Sequence, residues 1–170
     1  MSKPDISSTI GQGMIYLSWI LLLILLTFGF NKYLEQQNNP NQQVSAKLHN
    51  NIAEVRLKQN RYGHYVANGQ INNTPVTFLL DTGATLISIP EKIANQLNLE
   101  KGYPSQSRTA NGTITVYSTR LNTVGIGPIE LNNIRATINP NISGDEILLG
   151  MNFMKHLEMI QKGNELVLKY

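Results

Sequence analysis

The sequence predicts an all-β barrel or sandwich preceded by one transmembrane helix. Three observations carry this expectation. From Ile52 onward the chain breaks into short strand-like segments with turn signals every 8–12 residues or so. From Met14 to Phe30 it reads MIYLSWILLLILLTFGF without a charge. Between these regions lies a polar stretch rich in Asn and Gln.

Residues 1–13 form an N-terminal tail and residues 14–30 the expected membrane anchor. No charged residue occurs between Asp5 and Lys32. Seventeen apolar-dominated residues lie at the short end of what spans a bilayer, where about 20 is typical. A cleaved signal peptide would have a shorter apolar core ending in small residues, and Thr27-Phe28-Gly29-Phe30 offers no such site. Tyr16, Trp19, Phe28 and Phe30 lie towards the ends, where interfacial aromatics sit. Residues 31–51 are then expected to be a polar linker, too poor in apolar surface to offset their ordering entropy. As a flexible coil they would span roughly 25 Å.

Residues 52–170 form the folded domain. YGHYVANGQI (62–71) and PVTFLL (75–80) read as a strand pair joined at Asn72-Asn73. Pro90 followed by EKIANQLNL predicts a short helix, with Ile93 and Leu97 on one face. Residues 105–110 and 113–118 flank Asn111-Gly112, a pair that favours a tight hairpin. Segment 129–138 alternates, but its phase slips at Asn132-Asn133, which predicts a bulge or turn. The apolar run Ile147-Leu148-Leu149 ends at Gly150 and leads into a second short helix, 151–156. A terminal strand closes the chain at 165–170.

Composition excludes several chemistries. There is no cysteine, hence no disulfide, thiolate metal site or Cys nucleophile. His49, His64 and His156 lack metal-ligand spacing, so no metal is expected. No phosphate-binding glycine motif is present, and no cofactor is implied. The net charge of +3 is scattered, with no run of three Lys or Arg, and predicts no nucleic-acid partner.

The informative segment is Phe78-Leu79-Leu80-Asp81-Thr82-Gly83-Ala84-Thr85. A carboxylate at the end of an apolar strand is costly unless it is hydrogen-bonded or protonated. Gly83 lets the backbone approach that carboxylate closely, and Thr82 offers a hydroxyl to brace the loop. The other aspartates, Asp5 and Asp145, have no comparable setting. The plainer reading is an Asp that merely caps a turn.

FLLDTGATLISIP resembles the active-site loop of retropepsin-like aspartic proteases, with Ala84 after DTG. Leu148-Leu149-Gly150-Met151-Asn152-Phe153 is similar to the element that buttresses that loop. The Asn111-Gly112 turn falls where those enzymes carry a flap. The whole run is most similar to the bacterial membrane-anchored branch of the clan and covers about residues 52–170. The resemblance implies a single-lobe retropepsin-like barrel with one or two short helices. It implies Asp81 as the catalytic residue, Thr82, Gly83 and Ala84 in the active-site loop, and Leu149, Gly150 and Asn152 as its support. Retroviral relatives usually carry Asp at the position of Thr85 and Arg at that of Met151, as an ion pair. Both are replaced here, so neither charge is left buried alone, which would cost roughly 3–5 kcal/mol.

Aspartic proteases in general use two carboxylates that share a proton. This chain supplies one DTG on a domain about half the size that two lobes need. The second carboxylate is therefore expected from another copy, in a C2 homodimer. The implied activity is hydrolysis of an extended polypeptide by Asp81 and its mate. The branch resembled implies a single-pass inner-membrane protein of bacteria, with its protease domain in the periplasm. Two alternatives stand beside it: a catalytically silent, membrane-tethered peptide-binding module of the same fold, and a structural β domain in which DTG is only a turn.

Overall fold

The computed structural model describes residues 6–49, 52–109 and 112–170. They fall into two compact units, divided between Gln37 and Asn38. The first is a single helix, α1 (Ile6–Asn38). Its stretch Gly13–Asn38 is long and apolar enough to cross a membrane, a test that a signal sequence near the N-terminus also passes. The hydroxyls of Ser18 and Thr27 donate back to the carbonyls of Met14 and Leu23, each at 2.8 Å. The two aliphatic hydroxyls inside the apolar run are thus satisfied within the helix.

The second unit is mostly strand. In chain order it runs β1 (Ser45–His49), β2 (Ile52–Lys58), β3 (Val66–Ile71), β4 (Thr74–Leu80), β5 (Ile87–Pro90), α2 (Glu91–Gln96), β6 (Pro104–Thr109), β7 (Gly112–Ile126), β8 (Ile129–Asn139), β9 (Glu146–Leu149), α3 (Met151–Met154), β10 (Glu158–Lys162) and β11 (Glu165–Lys169). Seven strands form one sheet in the order β3-β4-β9-β5-β8-β7-β6. Its ring closes where Gln70 and Ile71 of β3 pair with Gly125 and Val124 of β7. Within the ring β4–β9 and β5–β8 are parallel, and the rest are antiparallel. The four-stranded sheet β1-β2-β11-β10 adds Val55, Leu57, Leu166 and Leu168 to the same buried core as Phe78, Ile87, Ile138 and Phe153.

Local sequence accounts for most joints. Asn72 and Asn73 both take positive φ (48° and 63°), as the two-residue β3–β4 hairpin demands. Helix α2 starts after Pro90 and ends in a Schellman motif. Asn98 sits at φ 52°, and Leu99 N–H reaches Ala94 O at 2.9 Å. At the phase slip of β8 no residue is inserted. The β7–β8 register is continuous, Asn122 and Asn133 simply drop out of the ladder, and Asn133 takes φ 57°. A single left-handed residue thus rotates the burial phase without the two-against-one count of a bulge.

The region 31–51 differs from its expectation. Its first part is helical to Asn38, because Lys32 to Gln37 are mostly good helix formers. The next residues dock on the domain. Asn41 is almost fully buried; its amide donates to Lys58 O (2.9 Å) and Val66 O (2.7 Å) and accepts from Lys58 N–H (2.7 Å). Asn39 binds Asn68 at 2.8 Å and caps Asn41 N–H at 3.0 Å. Residues 45–49 then pair with β2. A composition reading misses this segment because it is held mainly by amides that complete backbone hydrogen bonds and by the β1–β2 ladder, with Val44 packed on the core. Residues 50 and 51, like residues 1–5 of the tail, lie outside the described residues. The folded unit therefore starts at Asn38, not at 52.

Asn41→Ala is expected to lower stability by roughly 2–3 kcal/mol, because it strands buried backbone groups at Lys58 and Val66. Chemical denaturation checks this, and an unchanged midpoint would show that the segment is not docked in solution.

Candidate active site

Strand β4 carries the apolar run and delivers Asp81 at its end. The parallel neighbour β9 delivers Gly150 at the matching level, since Leu80 pairs with Leu149. Asp81 N–H donates to Leu149 O at 3.2 Å. The chain then turns tightly, with Ala84 N–H bonding back to Asp81 O at 3.2 Å. Gly83 N–H donates to Asp81 Oδ1 at 2.8 Å. A carboxylate oxygen held by a backbone N–H is fixed in direction, which a site for acid–base work requires. The other oxygen has no hydrogen-bond partner among the described residues.

Residues 149–152 pack against this loop. Met151 N–H donates to Ala84 O (2.8 Å) and Asn152 N–H to Thr85 O (3.0 Å). Asn152 also uses its side chain: Oδ1 accepts from Ile87 N–H at 3.0 Å, and Nδ2 donates to Arg135 O at 2.7 Å. One amide thus ties the loop exit, α3 and β8 together. Gly150 is needed by contact. A Cβ there would lie 2.5 Å from Leu86 O and 2.7 Å from Ala84 O. Leu149 is fully buried beneath the loop. Asn152→Ala is expected to cost roughly 1–3 kcal/mol, since it leaves Ile87 N–H and Arg135 O unpartnered. A thermal melt checks it.

Two expectations change in detail. Thr82 is exposed, and its hydroxyl makes no hydrogen bond among the described residues. The loop is braced by backbone instead. Asp81 is half-buried in the single chain, and Thr82 and Gly83 stand open to solvent, so the desolvation expected of a strand-end carboxylate is only partial. At the two altered positions Thr85 is exposed and Met151 packs half-buried against the core, so no buried charge calls for a partner.

A cleft of about 490 Å³ opens over Asp81. The β6 strand forms one wall through Ser105–Thr109, and Ala84, Leu86, Val116 and Leu148 give it an apolar floor. Of the expected flap turn, Gly112 is described, at φ 116°, whereas Asn111 lies outside the described residues. Strand β6 pairs with no strand other than β7 among the described residues, so from Ser105 to Arg108 its outer side is a sheet edge. Sequence reasoning did not anticipate Ser88, Thr137 and Asn139, which also line the cleft. Ser88 is the one polar residue between Leu86 and Pro90, and Asn139 is a buried amide that ends an alternating strand. Those were the available signals. Among the described residues no cluster of His, Cys, Asp or Glu could hold a metal ion.

A family model described as "gag-polyprotein putative aspartyl protease" matches residues 67–156, more than half of the chain. The Sinorhizobium sp "Uncharacterized protein in cobV 5'region" is 32% identical over 111 residues, 64% of this chain and 48% of that protein. The chain thus spans about half the length of that relative. "Uncharacterized protein RP867" of Rickettsia prowazekii is 26% identical over 161 residues, 88% of this chain and 68% of that protein. Among solved structures, a retropepsin-like aspartic protease from Rickettsia conorii superposes with a TM-score of 0.62 at 28% identity, covering 75% of this chain and 96% of that one. The matched span includes the Asp81 loop and the β9–α3 buttress, and on that ground the chain belongs to the aspartyl protease family, with a retropepsin-like aspartic protease fold.

Proposed function

We propose that this protein is a membrane-anchored aspartic endopeptidase whose active site forms between two copies. One observation carries the reading. Asp81 is presented at an open edge of the domain, with one oxygen fixed by Gly83 N–H and the other unbonded among the described residues, next to a cleft. One carboxylate alone can hold or give a proton, but it cannot do both for one attacking water. A C2 axis beside the exposed Thr82–Gly83 edge supplies the same group a second time.

In the dimer one carboxylate takes a proton from water while the protonated mate hydrogen-bonds the peptide carbonyl. The water oxygen bonds to the carbonyl carbon. The resulting tetrahedral intermediate collapses as the amide nitrogen takes a proton and the C–N bond breaks. The substrate lies extended, its backbone pairing with the outer edge of β6 at Ser105–Arg108. Helix α1 acts as the anchor, with the protease domain on the periplasmic or external face.

The test is digestion of an unstructured protein by purified full chain, with product termini read by mass spectrometry. Cleavage at internal peptide bonds is expected, falling away as alkaline pH removes the shared proton. Activity that rises steadily into alkaline pH would refute the mechanism. Peptide binding without any cleavage would select a silent binding module. Protection of the domain from external protease in spheroplasts would reverse the topology.

A further inference from the structure

On the domain surface, away from the Asp81 cleft, lies a second and larger hollow of about 750 Å³. Its floor is the β7–β8 ladder at Ser118–Arg120, Asn122 and Arg135, and its rim is the segment Asn98–Tyr103. Arg120 and Arg135 are directly opposed partners in the antiparallel register, so their side chains leave the same face of the sheet. Like charges in that relation are destabilising. Among the described residues neither forms an ion pair. Arg120 spends one N–H on Asn133 Oδ1 at 2.6 Å, which leaves most of its guanidinium donors and all of those on Arg135 unengaged among the described residues. Glu100 is the one carboxylate lining the hollow; Lys101 beside it is already paired with Glu91. The remaining walls offer neutral donors from Asn72, Asn98, Ser118, Thr119 and Asn122.

We propose that this hollow is a phosphate-binding site, in which Arg120 and Arg135 clamp a phosphate group. A phosphate turns the repulsion of the pair into two charge-assisted contacts of the planar, bidentate kind that guanidinium favours. Free phosphate and the headgroup of an anionic lipid both carry this group. The chemistry is the same, and the test separates the sources. Binding here does not depend on whether Asp81 hydrolyses peptides. It would act on the hairpin through the rim, because Gly102 N–H is tied to Ser118 O at 2.7 Å and the rim continues directly into β6.

The experiment is calorimetric titration of the full chain in neutral detergent with inorganic phosphate, against chloride at matched ionic strength. Saturable phosphate binding is expected, weaker by about tenfold or more in Arg120→Gln/Arg135→Gln. Glu100→Gln is expected to tighten it severalfold by removing the opposing charge. Thermal melts of all three proteins establish that they are folded. The same titration in nanodiscs separates the sources: loss of free-phosphate binding in phosphatidylglycerol but not in phosphatidylcholine discs assigns the site to the headgroup, and retention in both assigns it to free phosphate. The proposal is overturned if phosphate does not bind saturably in detergent, if chloride competes equally, or if the folded double variant binds as wild type does.

Discussion

Asp81→Asn is expected to abolish measurable hydrolysis, lowering kcat/KM by roughly 10²–10⁴-fold or more, while leaving the fold unchanged. The geometry separates the two effects. In the structure Asp81 Oδ1 accepts the Gly83 N–H at 2.8 Å, and an asparagine oxygen can accept that same bond. The backbone bonds that hold the loop, from Asp81 N–H to Leu149 O and from Ala84 N–H to Asp81 O, do not involve the side chain. What asparagine cannot do is take a proton from water and pass it on. Unfolding curves of the two proteins should coincide while activity is lost. Residual turnover in the purified variant, free of contaminating protease, would contradict the catalytic role of Asp81.

The second large effect is expected at Gly150. Gly150→Ala places a Cβ within 2.7 Å of the carbonyl oxygens of both Leu86 and Ala84. These are backbone atoms, so no flexible side chain can swing away. Either β9 or the Asp81–Leu86 loop must move. Overpacking of this kind costs typically about 1–3 kcal/mol, and here the strain falls on the loop that aims Asp81. Loss of activity beyond the fraction unfolded is therefore expected, because a shift near 1 Å in a catalytic group can cost about 10²-fold. Gly29→Ala is a control, since nothing lies within 4 Å of a Cβ there. Parallel unfolding and activity measurements check both. A Gly150→Ala protein with wild-type stability and turnover would mean that the loop and buttress are not packed as described.

The geometry of the candidate site was legible in sequence because it is local. An apolar strand, an Asp and a Gly within three residues fix the turn and the carboxylate, and Gly83 N–H does bond to Asp81. That residues 149–152 support the loop was an expectation from family resemblance alone. Nothing local says that the Asn152 amide spans from Ile87 to Arg135. Three parts were not legible. Residues 38–49 read as a tether because they are held by Asn41 completing backbone bonds at Lys58 and Val66 and by Asn39 binding the Asn68 side chain. Strand β10 is short and largely exposed, so its alternation carried no signal. The Arg120–Arg135 opposition depends on the β7–β8 register, which no local pattern reveals. With α1 running to Asn38 and Asn39 buried, residues 31–39 are not the flexible coil that composition predicts.

The half-site claim is tested most directly by mixing subunits. Wild-type and Asp81→Asn chains, each soluble from Asn38 onward, are combined at constant total concentration and allowed to exchange before activity is read. If hydrolysis needs Asp81 from both copies, specific activity falls with the square of the wild-type fraction, and it also declines on dilution as dimers dissociate. Activity that falls only in proportion to the wild-type fraction, in samples shown by sedimentation to be monomeric, would contradict a catalytic pair shared between two chains.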